Sequence, residues 1–337
     1  MGKFSIVIPV RNGGEYFKSC VKSILSQTVS DFNLEILDNC SEDDTVEWLE
    51  SINDKRIRIY LSDKPLRIED NWKRIVSIPK NEFMTFFGHD DLLDSNYLAT
   101  MDQLIKKHPS ASVYQVHFRY IDSEGKVIRS CKPMDEIQTA PECLAFFFNN
   151  MYELSIGHVV RSKDYDIIGG IPSYPNLLFA DLELWIKLIE NNYKATAMEE
   201  CCSYRIHLAS TTKSSSTLSY YYAFNRLLNF FSDLKSKNPL YASILSRYGL
   251  DFLKLYCKSL AHHLLRIPKK NRQGVTVSNF ILNYKRSIDE LIPGNDYQPS
   301  KISSIRLAEK IDNSFLARAL FLGFKKIYSK PILSSYD

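Results

Sequence analysis

The sequence contains no long hydrophobic run. Nowhere in its 337 residues do apolar residues extend to the ~18 that a membrane-crossing helix needs. The opening Met1-Gly2-Lys3 leads into an apolar run that stops at Pro9, too short for a secretory leader. Ile6 stands where N-myristoylation asks for Ser or Thr. Cysteine is modest too: seven residues, none in a C-x-x-C pair, with Cys201 and Cys202 adjacent. That pattern excludes a disulfide framework or a zinc knuckle and leads us to expect a reduced, cytoplasmic chain. A dinucleotide fingerprint is missing as well. G-x-G-x-x-G should follow the first strand of a dehydrogenase, and only Gly13-Gly14 is there. We find no glycine-rich, basic loop of the kind that grips a triphosphate, and no internal repeat.

The rest of the composition is that of an ordinary globular chain, 45% hydrophobic and 24% charged, enough to fill a core. A formal net charge of +4 does not suggest a nucleic-acid binder. The charge is uneven, however. Residues 251–337 carry 15 Lys+Arg against 7 Asp+Glu, a balance of +8, which leaves −4 for residues 1–250. An acidic body with a basic tail suggests two jobs, or one job plus docking to an anionic surface.

Strand-like and helix-like patterns alternate along the first hundred residues. FSIVIPV (4–10) is a short continuous apolar run of the buried parallel type. Arg11-Asn12-Gly13-Gly14 breaks it, and Phe17, Cys20, Val21, Ile24 and Leu25 then fall on one helical stripe. Further strands are expected at 34–39, 56–62 and 83–87, with helices near 43–52 and 69–77. Strand–helix alternation predicts a doubly wound, mostly parallel α/β sheet, in which a ligand sits beyond the carboxyl ends of the strands. Polar groups gather at those ends: Arg11 and Asn12, then Asp38, Asn39 and Ser41, then Asp90 and Asp91. Beyond them we expect a helix over 94–108 capped by Ser95, a long strand over 111–122, a hairpin at DSEGKV, a helix over 140–150, and an amphipathic helix over 181–192 with Leu184, Trp185, Leu188 and Ile189 inward. A polar loop, 207–216, closes the first domain. The remainder is helical, punctuated by Pro239, Pro268 and Pro293-Gly294.

Five segments in order, FSIVIPVRNGGEYFKSCVKSILSQT, LEILDNCSEDDT, FFGHDDLLDSNYL, GGIPSY with FADLELWIKL, and YRIHLAS, resemble family-2 glycosyltransferases of the GT-A fold, the nucleotide-diphospho-sugar transferase architecture. The resemblance covers roughly residues 3–215. It implies a catalytic domain over 1–215, with a nucleotide-binding half (1–110) and an acceptor half (111–215), followed by a helical C-terminal region over 216–337.

In such enzymes the loop at Pro9, Val10, Arg11 and Asn12 holds the uracil and ribose edge, largely through backbone. Asp38 matches the carboxylate that accepts from the uracil N–H, with Asn39 and Ser41 in the same turn; a plain turn-forming role is the alternative. Asp43 and Asp44 read better as a helix start. Asn71 is placed near the donor and Arg74 near its diphosphate, whereas Trp72 reads as core. The family's D-x-D motif appears here as Gly88-His89-Asp90, its first aspartate replaced by glycine. The resemblance makes Asp90 a ligand of Mn²⁺ or Mg²⁺, since hard cations favour carboxylate oxygen and the ion neutralises the departing diphosphate. Asp91 follows as a structural or sugar-facing residue. His89 belongs to the same cluster, although strand alternation would turn it away from Asp90. Capping of the next helix is the alternative for both aspartates. His207 matches a late-loop histidine that reaches the cation, or else orders the loop; Ser210, Thr211 and Lys213 lie within reach of phosphate.

Inverting transfer also needs a base on the acceptor side. The family's E-D pair reads Ala180-Asp181 here, which makes Asp181 the base. Glu183 is its rival, turned by about 200° along a helix. The expected partners are a nucleotide sugar, UDP-linked, and a saccharide or lipid-linked saccharide acceptor, as in surface-polysaccharide synthesis. A non-catalytic nucleotide-sugar binder and a nucleotidyltransferase are the alternatives. The stretch 313–330 mixes apolar residues with Arg318, Lys325, Lys326 and Lys330. It suits an interfacial helix on the inner face of a membrane or a helix packed on the catalytic domain.

Overall fold

The computed structural model describes residues 2–207 and 216–328. The chain divides into two compact units, Met1–Ser215 and Ser216–Asp337, described separately below.

The first unit is built on one ten-stranded sheet, ordered β3 (Ile57–Tyr60), β2 (Phe32–Asp38), β1 (Phe4–Val10), β4 (Phe83–Phe86), β9 (His158–Arg161), β6 (Val113–Ile121), β10 (Lys194–Arg205) and β5 (Leu92–Leu93), with β7 (Val127–Ser130) beside β6 and β8 (Ile137–Gln138) beside β10. β1 (Phe4–Val10) is buried along its whole length, which explains why it carries no polar alternation. α1 (Gly14–Leu25) buries Phe17, Cys20, Val21 and Ile24, leaving Leu25 only partly covered. β2 (Phe32–Asp38), α2 (Thr45–Ile52) and β3 (Ile57–Tyr60) follow. α3 (Ile68–Lys73) tightens into a 3₁₀ turn over Arg74–Ser77 before β4 (Phe83–Phe86). β1 pairs in parallel with both β2 and β4, and β2 with β3, so the carboxyl ends of β1, β2 and β4 lie side by side.

A short β5 (Leu92–Leu93) precedes α4 (Tyr97–Lys107). Its N-cap is Asn96, without a side-chain capping bond, and not the expected Ser95; Ser95 instead gives its carbonyl to the Thr28 N–H and hydroxyl. β6 (Val113–Ile121) and β7 (Val127–Ser130) form the hairpin, with Gly125 at φ +87° in the turn, a conformation glycine adopts without strain. β8 (Ile137–Gln138) leads to α5 (Ala140–Asn150), whose Thr139 and Glu142 make a reciprocal capping box. Then come β9 (His158–Arg161), α6 (Ser162–Ile167), α7 (Ala180–Ile189) and β10 (Lys194–Arg205).

The sheet is less uniformly parallel than the sequence pattern predicts. β9 runs antiparallel between β4 and β6, and β5 antiparallel to β10. The doubly wound pattern holds from β1 to β4, and the later half is mixed.

The second unit is helical: α8 (Thr217–Lys237), α9 (Pro239–Ile244), α10 (Leu250–Leu264), α11 (Val277–Leu291), α12 (Ser303–Asn313) and α13 (Phe315–Tyr328). Its core includes Phe224, whose ring stacks on Tyr256 and Tyr284. It is locked by a buried Arg272–Asp312 ion pair at 2.7 Å. Among the described residues no helix is long and apolar enough to cross a membrane.

Candidate functional site

The carboxyl end of β1 runs into a loop in which Asn12 takes φ +52°, a region Asn tolerates better than most residues. Its N–H donates to Ser41 Oγ (2.8 Å), and its Oδ1 accepts from the Glu42 N–H (2.8 Å). The two loops after β1 and β2 are thereby stitched together. Pro9 and Val10 are buried, while Arg11 is exposed and pairs with Glu42 at 3.5 Å. Asp43 and Asp44 serve the helix start and its surroundings: Asp43 accepts from the Thr45 and Gly14 N–H groups, and Asp44 meets Lys18 at 2.7 Å.

Asp38 ends β2 opposite Val10. Its Oδ2 accepts from the Ser41 N–H (3.1 Å). Its Oδ1 is buried and has no hydrogen-bond partner among the described residues, a costly state for a carboxylate oxygen. Asn39 is committed to the fold, exchanging two hydrogen bonds with the Leu66 backbone.

Asn71 and Arg74 are occupied differently from the sequence expectation. Asn71 is buried, donating to Leu37 O and accepting from Arg74. The Arg74 guanidinium donates to the carbonyls of Asp38, Tyr60 and Leu61 at 2.7–2.9 Å. It therefore ties off the ends of β2 and β3, where carbonyls lack strand partners. Trp72 packs edge-on against Phe86.

β4 ends at Phe86, so Gly88 to Asp91 form a turn and strand alternation does not govern them. Asp90 and His207 both act electrostatically on the His89 ring. Burial is the largest influence on His89 and holds its pKa below the usual histidine range.

The antiparallel register Leu92↔Ser203 sets Asp90 and Asp91 beside the end of β10. There His207 Nε2 lies 2.7 Å from Asp90 Oδ2, across 117 residues of sequence. Burial opposes ionisation of Asp90, but the His207 hydrogen bond and the His89 ring outweigh it and keep the carboxyl below its ordinary value. Asp91 goes the other way: burial first, then the Asp90 charge, push its pKa well up. Its Oδ1 accepts from the Arg205 N–H (2.8 Å).

Gly88 makes this packing possible. A Cβ at that position would stand 2.8 Å from Asp91 Oδ2 and 2.9 Å from Asp90 Oδ1.

Two residues that build this corner were not singled out from the sequence. Arg205 donates from Nε to Asp90 O (2.8 Å) and from its terminal nitrogen to the carbonyls of Asp122 and Ser123. Its guanidinium lies 4.6 Å from the centroid of the Tyr16 ring, which also packs against His207. The signal was present in YRIHLAS, where Arg205 sits two residues before His207.

Asp90 and His207 could supply two ligands to a cation. They are a mixed oxygen and nitrogen pair, and their 2.7 Å separation is close to the ~3 Å between adjacent donors around an octahedral ion with ~2.1 Å bonds. Among the described residues no cluster of three or more His, Cys, Asp or Glu side chains offers a complete shell. Ser210, Thr211 and Lys213 lie outside the described residues.

Asp181 occupies the first turn of α7, after Phe179 at φ +67°. It is half-buried, and its Oδ1 accepts from the Leu182 N–H (2.9 Å). Burial raises its pKa to about 6, against the opposing pull of backbone N–H groups. One turn along the same face, Trp185 stacks flat on Phe86 of β4 at 5.4 Å, so α7 is pinned to the strand that leads into the Asp90 turn. Glu183 faces elsewhere: it is buried, with the Tyr174 hydroxyl (2.7 Å) and Lys187 Nζ (2.6 Å) donating to its two oxygens.

Polar groups at the carboxyl ends of β1, β2 and β4, backed by one sheet, are the arrangement expected of a GT-A fold, and the comparisons agree. Residues 5–170 match the model of glycosyl transferase family 2. The chain is 26% identical over 123 residues to the glycosyltransferase GlyG of Streptococcus pneumoniae, covering 36% of this chain and 41% of GlyG. It is 25% identical over 227 residues to the uncharacterized glycosyltransferase MJ1057 of Methanocaldococcus jannaschii, covering 64% and 77%. The solved structure of Staphylococcus aureus TarS 1-349 in complex with UDP-GlcNAc superposes with a TM-score of 0.58 at 14% identity, covering 92% of this chain and 91% of that one. TarS is described as a poly(ribitol-phosphate) beta-N-acetylglucosaminyltransferase. Residues 5–170 of this chain form a glycosyltransferase family 2 domain, and the chain is a glycosyltransferase.

Proposed function

We propose that the enzyme is an inverting transferase that moves a sugar from a UDP-sugar to a hydroxyl of a saccharide, free or lipid-linked, in surface-polysaccharide synthesis. The observation that carries the reading is the convergence of Asp90 and His207 at 2.7 Å, at the sheet edge where such folds receive a nucleotide. The buried, unpartnered Oδ1 of Asp38 supports uridine, because an imide N–H satisfies an orphan carboxylate oxygen. Asn12, Asn39 and Ser41 shape the same loops, and Pro9, Val10 and Arg11 border them.

In this reading Asp90 and His207 would hold Mn²⁺ or Mg²⁺. The ion's contribution is to neutralise charge on the leaving diphosphate. Asp181 accepts the proton of the acceptor hydroxyl as its oxygen bonds to the anomeric carbon and the bond from that carbon to the UDP oxygen breaks. A pKa of about 6 leaves Asp181 ionised at neutral pH yet more basic than an ordinary aspartate. Arg74 and Asn71 act indirectly, by holding the strand ends.

UDP and Mn²⁺ together are expected to raise the thermal midpoint by more than the sum of their separate effects, since each would strengthen binding of the other. Asp90→Ala is expected to lose that excess. Sugar transfer that continues undiminished in excess chelator would overturn the metal role.

A further inference from the structure

Helix α13 is inverted relative to a helix on a water-facing surface. Among the described side chains its exposed positions are 315, 316, 319, 320, 323, 324, 327 and 328, and none of these holds a charged residue. Phe315 is 92% exposed and Ile327 76%, and Leu316, Leu320, Phe324 and Tyr328 all exceed half. Arg318 and Lys325, the charged residues of the helix whose side chains are described, are not among them. Arg318 donates to the carbonyls of Leu265 and Ile267, just past the end of α10. A surface helix normally places its charges outward, and a contiguous apolar patch of this kind marks an interaction site.

A groove opens beside that face, between α10 and α13, with a volume of about 290 Å³. Lys258, His262 and Arg266 line it at successive turns of α10, and Lys325 lines it from α13. No acidic residue is among the lining, and Lys258, Arg266 and Lys325 form no ion pair among the described residues. Burial, then the Lys258 charge, lower the pKa of His262, and Arg266 and Lys325 act on it in the same sense. The groove is thus a concentration of positive charge with no acidic side chain among its lining.

We propose that the helical unit docks on an anionic lipid bilayer, with the exposed face of α13 at the acyl boundary and the α10–α13 groove receiving a lipid phosphate. The two features demand different chemistry side by side, and an anionic bilayer supplies both: hydrocarbon for the apolar face, and phosphate at headgroup depth for the cations. A second copy of the chain fits less well, because pairing through α13 would bring two cationic grooves together in a region already carrying +8 over residues 251–337. The inference stands on the helical unit alone and does not depend on the donor site.

Flotation with lipid vesicles tests it on the full chain. The protein is expected to float with phosphatidylcholine vesicles doped with phosphatidylglycerol, to stay behind with phosphatidylcholine alone, and to be released by salt. The double variant Leu320→Glu/Phe324→Glu, at exposed positions, is expected to remain at the bottom. Lys258→Gln/Arg266→Gln is expected to bind about fivefold more weakly per charge removed. Circular dichroism and the UDP-dependent thermal shift should match wild type in both, which separates loss of docking from loss of fold or of the donor site.

Wild type that does not float overturns the proposal, as does undiminished flotation of the Leu320→Glu/Phe324→Glu variant. A wild-type dimer in sedimentation that this variant dissociates would assign the face to self-association instead. Stabilisation by inorganic phosphate without vesicle binding would make the groove a soluble-anion site and likewise overturn docking.

Discussion

Asp181 and Glu183 stand two residues apart in α7 and meet opposite fates. Glu183 is held by Tyr174 and Lys187 inside the packing, so its charge serves the fold. Among the described residues Asp181 accepts only a short-range bond within its own turn, and burial lifts it to about 6. Below that pH it is protonated and cannot take a proton. The transfer rate kcat/KM is therefore expected to rise along an acid limb near pH 6 and to level off above it. Asp181→Asn should cut kcat by on the order of 10²–10⁴ with UDP affinity retained. Glu183→Gln should keep most of kcat but lower unfolding stability by roughly 1–3 kcal/mol, the usual cost of disturbing a buried hydrogen-bonded group. Steady-state kinetics and calorimetry separate the two. A dead Glu183→Gln beside an active Asp181→Asn would show that the base is misassigned.

At the scale of elements, the site depends on a strand pair rather than on one motif. The turn between β4 and β5 places Asp90 and Asp91, and β10 returns antiparallel to bring Arg205 and His207 against them. Two neighbouring carboxylates repel unless their environments differ. Here Asp90 is stabilised as the anion by His207 while burial drives Asp91 toward the neutral form. Gly88 leaves the space in which both fit. Gly88→Ala would press a methyl group against both carboxylates. It is expected to cost about 1–3 kcal/mol of stability, as overpacking does, and to remove the UDP–Mn²⁺ excess in thermal shift. An alanine variant with wild-type synergy would mean that the turn relaxes freely and its geometry does not matter.

On the scale of the molecule, the chain carries two cores with different logic: a mixed sheet with helices, and a helical unit held partly by buried charge. Asp312 accepts from Arg272 at 2.7 Å and from the Val277 N–H at 3.0 Å, and both partners of the ion pair are about 1% exposed. Removing one buried charge strands the other, at a cost of ~3–5 kcal/mol. Asp312→Ala is therefore expected to lower the melting transition of the helical unit in scanning calorimetry while UDP affinity stays at the wild-type value. A parallel fall in UDP affinity would mean that the two units do not behave independently.

The sequence by itself determined the elements whose signal is local. A fully buried strand such as Phe4–Val10 needs only an apolar run bounded by turn residues, and the helix at 140–150 carries its own capping box. The strand ends bearing Asn12, Asp38 and Asp90 were legible for the same reason, since a run that stops abruptly exposes whatever follows it. Tertiary structure decided what those residues touch. β9 and β10 escaped notice because one is four residues long and the other is interrupted by register shifts around Glu200, so neither repeats a clean pattern. The family resemblance placed Asn71 and Arg74 near the donor; only the fold reveals the backbone carbonyls to which they donate. The meeting of Asp90 with His207, 117 residues away, follows from the antiparallel return of β10 beside β5, and strand pairing of that kind is set by long-range hydrogen bonds that leave no periodicity in the sequence.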